Sequence, residues 1–145
     1  MPISAGTVAR LRSVVGADFV LDEPIERHLY AKDAGLRRHS VLLVVLPKTT
    51  AEVAEVVRIA ADEGIDVVPR GGGSGLTGGA VPTGDAVVVA VTRMNEIHEV
   101  DVFDRTAWVG PGVINLDLST HTEPLGLHFA PDPSSQSVCT IGGNV

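Results

Sequence analysis

Apolar and polar positions alternate along this chain in two distinct rhythms. From Thr7 to Val15 the apolar residues Val8, Leu11, Val14 and Val15 recur at helical spacing, and Gly16 stands where a helix would stop. Pro24 suits the first turn of a short helix through Leu29 and Ala31, with Ile25, Leu29 and Tyr30 free to dock on a neighbour. A mixed-charge bend, 32–39, follows. Val41-Leu42-Leu43-Val44-Val45-Leu46, closed by Pro47, reads as a strand buried on both faces. Thr49 and Glu52 have capping-box spacing, and Val53, Val56, Val57 and Ala60 form an i, i+3, i+4, i+7 stripe that ends at Gly64. Ile65 to Pro69 is the next strand. Together these segments predict a strand–helix–strand unit with parallel strands.

Past residue 92 the pattern changes. Ala86 to Val91 is still a continuous buried strand, and Met94-Asn95 a turn or short helical bend. Ile97 to Val102 then alternates, Asp104-Arg105 marks a reversal, and Thr106 to Val109 is a second short strand of a hairpin. Val113 to Thr120 reads as a helix with Asn115 or Asp117 facing out, Gly126 as a stop, and Leu127-His128-Phe129 as one more short strand. Residues 131–137 are loop by composition. The fold class expected is α+β: an α/β part with parallel strands, then the start of a part with antiparallel strands. The expected divisions are 1–37 as a helical lead-in, 38–92 as the α/β subdomain and 93–145 as the first portion of a second subdomain. The Gly142-Gly143-Asn144-Val145 ending suggests a fragment.

Composition narrows the function. The chain has 145 residues, a mean hydropathy of +0.25 and a formal charge of -7, which excludes a disordered chain. Residues 1–60 hold 8 basic and 7 acidic side chains; residues 61–145 hold 3 and 11. No basic stripe offers itself to nucleic acid. A single cysteine, Cys139, rules out an intrachain disulfide framework. The five histidines lack HxxxH or HExxH spacing, so no metal site is expected. No apolar run approaches 18 residues, so no membrane-spanning helix is expected. The Met1–Gly6 start resembles no signal peptide. A cytoplasmic address is the default expectation, with peripheral attachment to the inner face of the membrane as its variant.

The chemistry concentrates in Arg70-Gly71-Gly72-Gly73-Ser74-Gly75-Leu76-Thr77-Gly78-Gly79, where six of the nine positions from Gly71 onward are glycine. Glycines reach positive φ and remove side chains that would keep a ligand from the amides. Several convergent N–H groups make a nest for an anion, and a run this long suits a diphosphate. Ser74 and Thr77 add hydroxyls; Arg70 adds a charge or a brace. Gly73-x-Gly75-x-x-Gly78 satisfies the dinucleotide fingerprint in letters alone, because no helix opens after it; Gly79, Pro82, Gly84 and Asp85 intervene. A P-loop fails for want of a lysine after the glycines. Gly73-Ser74-Gly75 lacks nucleophile-elbow spacing. A second glycine stretch, Cys139 to Asn144, suggests one elongated ligand touched at two points.

These residues, with Gly110-Pro111-Gly112-Val113 and with Pro131-Asp132-Pro133-Ser134-Ser135 running to Thr140-Ile141-Gly142-Gly143-Asn144, resemble the FAD-binding module of the vanillyl-alcohol oxidase/p-cresol methylhydroxylase superfamily. Within it the chain is most similar to the FAD-linked subunit of glycolate oxidase and D-lactate dehydrogenases. The resemblance implies a PCMH-type (p-cresol methylhydroxylase-type) FAD-binding fold. It implies that residues 71–79 wrap the FAD pyrophosphate with Arg70 near their start. It also implies that Pro131, Asp132, Ser137, Thr140, Ile141, Gly142, Gly143 and Asn144 serve the flavin and ribityl region. Ser74 occupies the place of a histidine that often tethers FAD in relatives, which implies non-covalent FAD. The implied reaction is oxidation of a small D-2-hydroxy acid, glycolate or D-lactate in type. A base takes the hydroxyl proton while hydride leaves for flavin N5. The substrate would meet a further C-terminal domain, and an electron-acceptor partner is open. No catalytic residue is carried over, and oligomeric state is left open. His121 and His128 read as flavin neighbours or as surface histidines; Cys139 as a packed small hydrophobe or flavin-adjacent backbone; Trp108 and Phe103 as core or cleft edge. A FAD subunit of a molybdenum hydroxylase, a cell-wall amino-sugar reductase and a stand-alone nucleotide-binding module are the alternatives.

Overall fold

The computed structural model describes residues 3–145; Met1 and Pro2, the first positions of the expected helical lead-in, lie outside them. Helix α1 (Ala5–Val15) starts two residues before the apolar periodicity, because Ser4 caps it: its hydroxyl accepts the Thr7 N–H at 3.0 Å. Thr7, Leu11 and Val15 form its buried line, and Val8 and Val14 pack at the margins. A two-residue strand, β1 (Val20–Leu21), is too short to show in any periodicity. Helix α2 (Pro24–Tyr30) has proline in its first turn, and the Glu23 and Glu26 carboxylates close a capping box. Ile25 and Leu29 do not dock on a neighbour as their spacing suggested; they are 68% and 64% exposed.

Strand β2 (Leu43–Val45) is the fully buried centre of the longer run expected from Val41 to Leu46. Helix α3 (Thr50–Asp62) is capped by Thr49, whose hydroxyl accepts the Glu52 N–H at 3.1 Å. The Glu52 carboxylate accepts the Lys48 N–H instead of the Thr49 N–H, so the expected box closes one residue early. Val56, Ile59 and Ala60 are buried while Val57 is exposed, which turns the buried stripe by one residue.

Strands β3 (Asp66–Arg70) and β4 (Ala86–Ala90) complete a four-stranded sheet in the order β1-β2-β4-β3. β4 pairs in parallel with both neighbours, matching Val44 to Val88 and Val68 to Val88, and β1 pairs antiparallel on the far edge. The β2–α3–β3 crossover therefore leaves a gap that β4 fills. Helices α1 and α3 cover one face, where Leu11, Leu43, Val56, Ile59, Val87 and Val89 meet; Val41, Val44, Val88 and Ala90 pack on the other with Ala31 and Tyr30. Each such buried aliphatic side chain contributes about 1.5–3 kcal/mol relative to exposure.

A short 3₁₀ turn at Val91–Arg93 leads into the second sheet, the antiparallel hairpin β5 (Ile97–Asp101) and β6 (Thr106–Val109). Asp101 accepts the Phe103 and Asp104 N–H groups at 2.8 and 2.9 Å, and Arg105 takes a positive φ of 55° to complete the reversal. Trp108 and Phe103 lie in neither core nor cleft; they are 73% and 95% exposed. Helix α4 (Asn115–Thr122) begins two residues later than its periodicity suggested. Of the two residues expected in the alternative to face out, Asp117 does; Asn115 is 1% exposed, because its amide donates to the Pro131 carbonyl at 2.9 Å and ties the 131–137 loop to the helix. Residues 127–129 form no strand; after the left-handed Gly126 the chain runs irregularly to the final turn, α5 (Ile141–Asn144).

Two substitutions test which side chains carry the core. Leu43→Ala should lower unfolding free energy in urea by about 2–5 kcal/mol, whereas Val57→Ala, on the exposed face of α3, should stay within about 0.5 kcal/mol. Equal losses would contradict the observed rotation of the helix.

Candidate functional site

The chain leaves β3 at the carboxyl end of a parallel strand and enters the glycine loop, at the edge where ligands bind in open α/β sheets. A cleft of about 530 Å³ opens there, within the range of small-molecule sites. One wall is Arg70, Gly71, Gly72, Gly73, Ser74, Gly75, Thr77 and Gly79; the other is Thr140, Gly142, Gly143 and Asn144. Pro69, Pro111, Ser135, Cys139, Val91, Ala80 and Asp33 complete it. The two glycine stretches thus face one another. Gly78, Pro131, Asp132, Ser137 and Ile141 do not line this cleft. Gly78 donates its amide to the Asp33 carboxylate; Pro131 receives Asn115; Ile141 lines a separate cavity under the β5–β6 hairpin. Asp132 and Ser137 are solvent-exposed outside it. His121 and His128 are exposed and also lie outside it, while Cys139 is buried and borders it.

The glycines do three different jobs. At Gly71 an added Cβ would fall on the Thr140 hydroxyl, and at Gly72 on the Val138 carbonyl, so these two let the walls touch. Gly73 has φ +70°, and a Cβ there would strike the Arg70 guanidinium, which packs beneath the loop. Gly75 and Gly79 have nothing within 4 Å of a Cβ position and leave open space.

Hydrogen bonding separates the walls chemically. Among the described residues, no partner accepts the consecutive N–H groups from Gly73 to Thr77. The amides of 141–144 are all committed: Ile141 to Val113, Gly142 to Pro111, and Gly143 and Asn144 to Thr140. The second wall therefore offers Cα surface and side chains rather than amide donors. The Thr140 Oγ1 atom is buried without a partner, although buried hydroxyls normally find one.

Among the described residues, Arg70 is the one cation lining the cleft. Its Nη1 donates to the Lys32 carbonyl at 2.8 Å, and its guanidinium lies 5.3 Å from the Tyr30 ring centroid. Burial lowers its pKa from the ordinary arginine value, with Tyr30 and Asp33 opposing that shift; arginine remains a cation at neutral pH. Asp33, buried in what the sequence showed only as a mixed-charge bend, accepts the Gly35 N–H at 2.8 Å and the Gly78 N–H at 2.9 Å. Its one sequence signal is an aspartate two residues before a glycine, the spacing of an Asx turn. Among the described residues no group of three or more His, Cys, Asp or Glu side chains is placed to hold a metal ion, and no helix is long and apolar enough to cross a membrane.

Unbonded amides in a row, a single held cation among the described residues and an orphaned hydroxyl where the two walls meet fit a ligand with a diphosphate. The parallel-stranded sheet with the glycine loop between β3 and β4, followed by an antiparallel sheet, defines an α+β FAD-binding fold of PCMH type. The family described as FAD binding domain matches residues 41–145, and this chain belongs to it. Glycolate oxidase subunit GlcD of Bacillus subtilis (strain 168) is 38% identical over 137 residues, 94% of this chain and 29% of that protein. D-lactate dehydrogenase of Archaeoglobus fulgidus is 39% identical over 103 residues, 71% of this chain and 23% of that protein. The solved structure of p-cresol methylhydroxylase with substrate bound superposes with a TM-score of 0.84 at 23% identity, covering 99% of this chain and 30% of that one. The chain spans less than a third of the length of these relatives.

Gly73→Asp tests the loop directly. It forces a side chain onto Arg70 at positive φ and sets a carboxylate among the unbonded amides. FAD affinity should fall at least tenfold in a fluorescence titration, while Gly79→Ala, facing open space, should fall less.

Proposed function

We propose that this chain is the FAD-binding part of an enzyme that oxidises a small D-2-hydroxy acid of the glycolate or D-lactate type. The observation carrying the proposal is the row of unbonded amides from Gly73 to Thr77, opposed by the unpartnered Thr140 hydroxyl. Backbone donors fixed in a half-enclosed cleft hold a diphosphate without needing mobile cations. Gly75 and Gly79 keep the approach open, Ser74 and Thr77 supply hydroxyls, and Arg70 supplies fixed positive charge beneath the loop. Cys139 and Pro111 give the cleft apolar surface. When bound, FAD supplies two-electron oxidation chemistry. The chain's own task is binding and orientation, since a displacement of about 1 Å at a reacting group can cost roughly 100-fold in rate.

Ser74 in the loop supports non-covalent FAD. The names of the curated relatives, glycolate oxidase and D-lactate dehydrogenase, favour the hydroxy-acid substrate over the molybdenum-hydroxylase and amino-sugar readings. In this reading the hydroxy acid meets residues outside this chain, an electron acceptor takes the electrons onward, and the functional divisions fall near residues 37 and 92.

A visible spectrum of the intact protein tests the proposal. Flavin absorbance that passes into the supernatant on acid or heat denaturation is the expected result, followed by bleaching on anaerobic addition of glycolate or D-lactate. A colourless protein without affinity for added FAD would refute it; flavin retained by the denatured chain would refute the non-covalent assignment.

A further inference from the structure

The glycine loop is held from outside itself, by a segment N-terminal to the residues that the FAD binding domain family matches. Residues 32–35 meet the loop at three points. At its start, the Lys32 carbonyl accepts from Arg70 at 2.8 Å. In its middle, the Ala34 N–H donates to the Gly75 carbonyl at 3.1 Å. At its end, the Asp33 Oδ2 atom accepts the Gly78 N–H at 2.9 Å, while Oδ1 accepts the Gly35 N–H at 2.8 Å and closes the turn. The Asp33 side chain is 4% exposed and borders the cleft.

A buried carboxylate beside a site for an anionic diphosphate is electrostatically unfavourable unless its oxygens are engaged. Both are, and each accepts a backbone amide. Gly78 has φ +87°, so the loop turns there through a conformation that glycine permits but does not prefer. A loop with six glycines in nine positions loses much conformational freedom on ordering. Any ligand that must order it binds correspondingly more weakly.

We propose that Asp33 is a positioning residue for cofactor binding: its carboxylate fixes the end of the glycine loop so that the Gly73–Thr77 amides are aligned before the diphosphate arrives. This rests on the FAD reading above. Of the two anchors, Gly75 holds the middle of the run of unbonded donors and Gly78 its end, and Arg70 fixes the start. Preorganisation of this kind raises affinity without adding a contact to the ligand.

The sign of the effect separates positioning from simple charge. If Asp33 acted only by repelling the diphosphate, Asp33→Asn would tighten FAD binding. If it aligns the loop, Asp33→Asn loses one acceptor and weakens binding, and Asp33→Ala loses both and weakens it further. The experiment is fluorescence titration of the cofactor-free intact protein with FAD and with ADP, which carries the diphosphate without the flavin ring. Binding stoichiometry and the melting temperature of the cofactor-free form are recorded alongside. We expect Kd for FAD and for ADP to rise by the same factor, at least threefold in Asp33→Asn and at least tenfold in Asp33→Ala, with stoichiometry retained. We also expect Gly78 amide hydrogen exchange in the cofactor-free protein to speed up in both variants. Should Asp33→Ala fail to fold, Asp33→Asn carries the same comparison. Unchanged or tighter Kd in the variants overturns this inference alone, as does lower stoichiometry at unchanged Kd, which marks a purely structural residue. An unmutated protein without affinity for FAD overturns the functional reading and this inference with it.

Discussion

The candidate cleft is built on the contact between Gly71-Gly72 and the segment from Val138 to Thr140. There the backbone leaving β3 lies so near the second wall that a single added methyl group would land on the Thr140 hydroxyl or the Val138 carbonyl. The cleft exists because two segments some 70 residues apart in sequence meet at that seam and then diverge. The unbonded amides lie to one side of it, and the unpartnered Thr140 hydroxyl sits within it. A similar economy of side chains operates at Gly112, where a Cβ would meet the Val91 carbonyl, and this holds the chain leaving β6 against the turn that follows β4. Backbone proximity joins the parallel sheet to the rest, together with Arg93, whose guanidinium donates to the Leu46 carbonyl and lies over the Phe19 ring.

The parallel sheet was largely legible in the sequence. Val41 to Leu46 and Ala86 to Val91 are uninterrupted apolar runs, and buried parallel strands require such runs. Helix α3 was visible because Thr49 and Gly64 bound a helical stripe, although its rotation was misjudged by one residue. Ile59 rather than Val57 faces the sheet, and four apolar positions in a row cannot fix a helix face that finely. The misreadings lie where partners distant in sequence decide. Polarity left open whether Asn115 or Asp117 faces out; the Pro131 carbonyl, sixteen residues away, makes Asn115 the buried one. Leu127 to Phe129 had strand composition but no neighbouring strand to pair with, and without a ladder such a segment stays irregular.

The candidate site shows the same division. The glycine loop announced itself through composition, and the Cys139–Asn144 stretch through its glycine pair. Which amides remain unbonded could not be read from letters. The α5 turn consumes all four of its own, so the second wall contributes surface, whereas the loop keeps its donors. Asp33 was invisible because its role depends on contact with Gly78, forty-five residues onward. The family resemblance named the cofactor; it did not distinguish glycines that pack against protein from glycines that leave room for a ligand.

The fixed placement of Arg70 has a physical corollary. Its guanidinium is tied to the Lys32 carbonyl and faces the Tyr30 ring, so it acts as a stationary charge of low mobility, not as an arm that swings out to meet a phosphate. Attraction in such a cleft comes mainly from oriented peptide dipoles at short range. Dissolved ions shield partly buried groups of this kind far less than they shield exposed lysines and arginines, so the grip on an anion would vary little between dilute buffer and concentrated electrolyte.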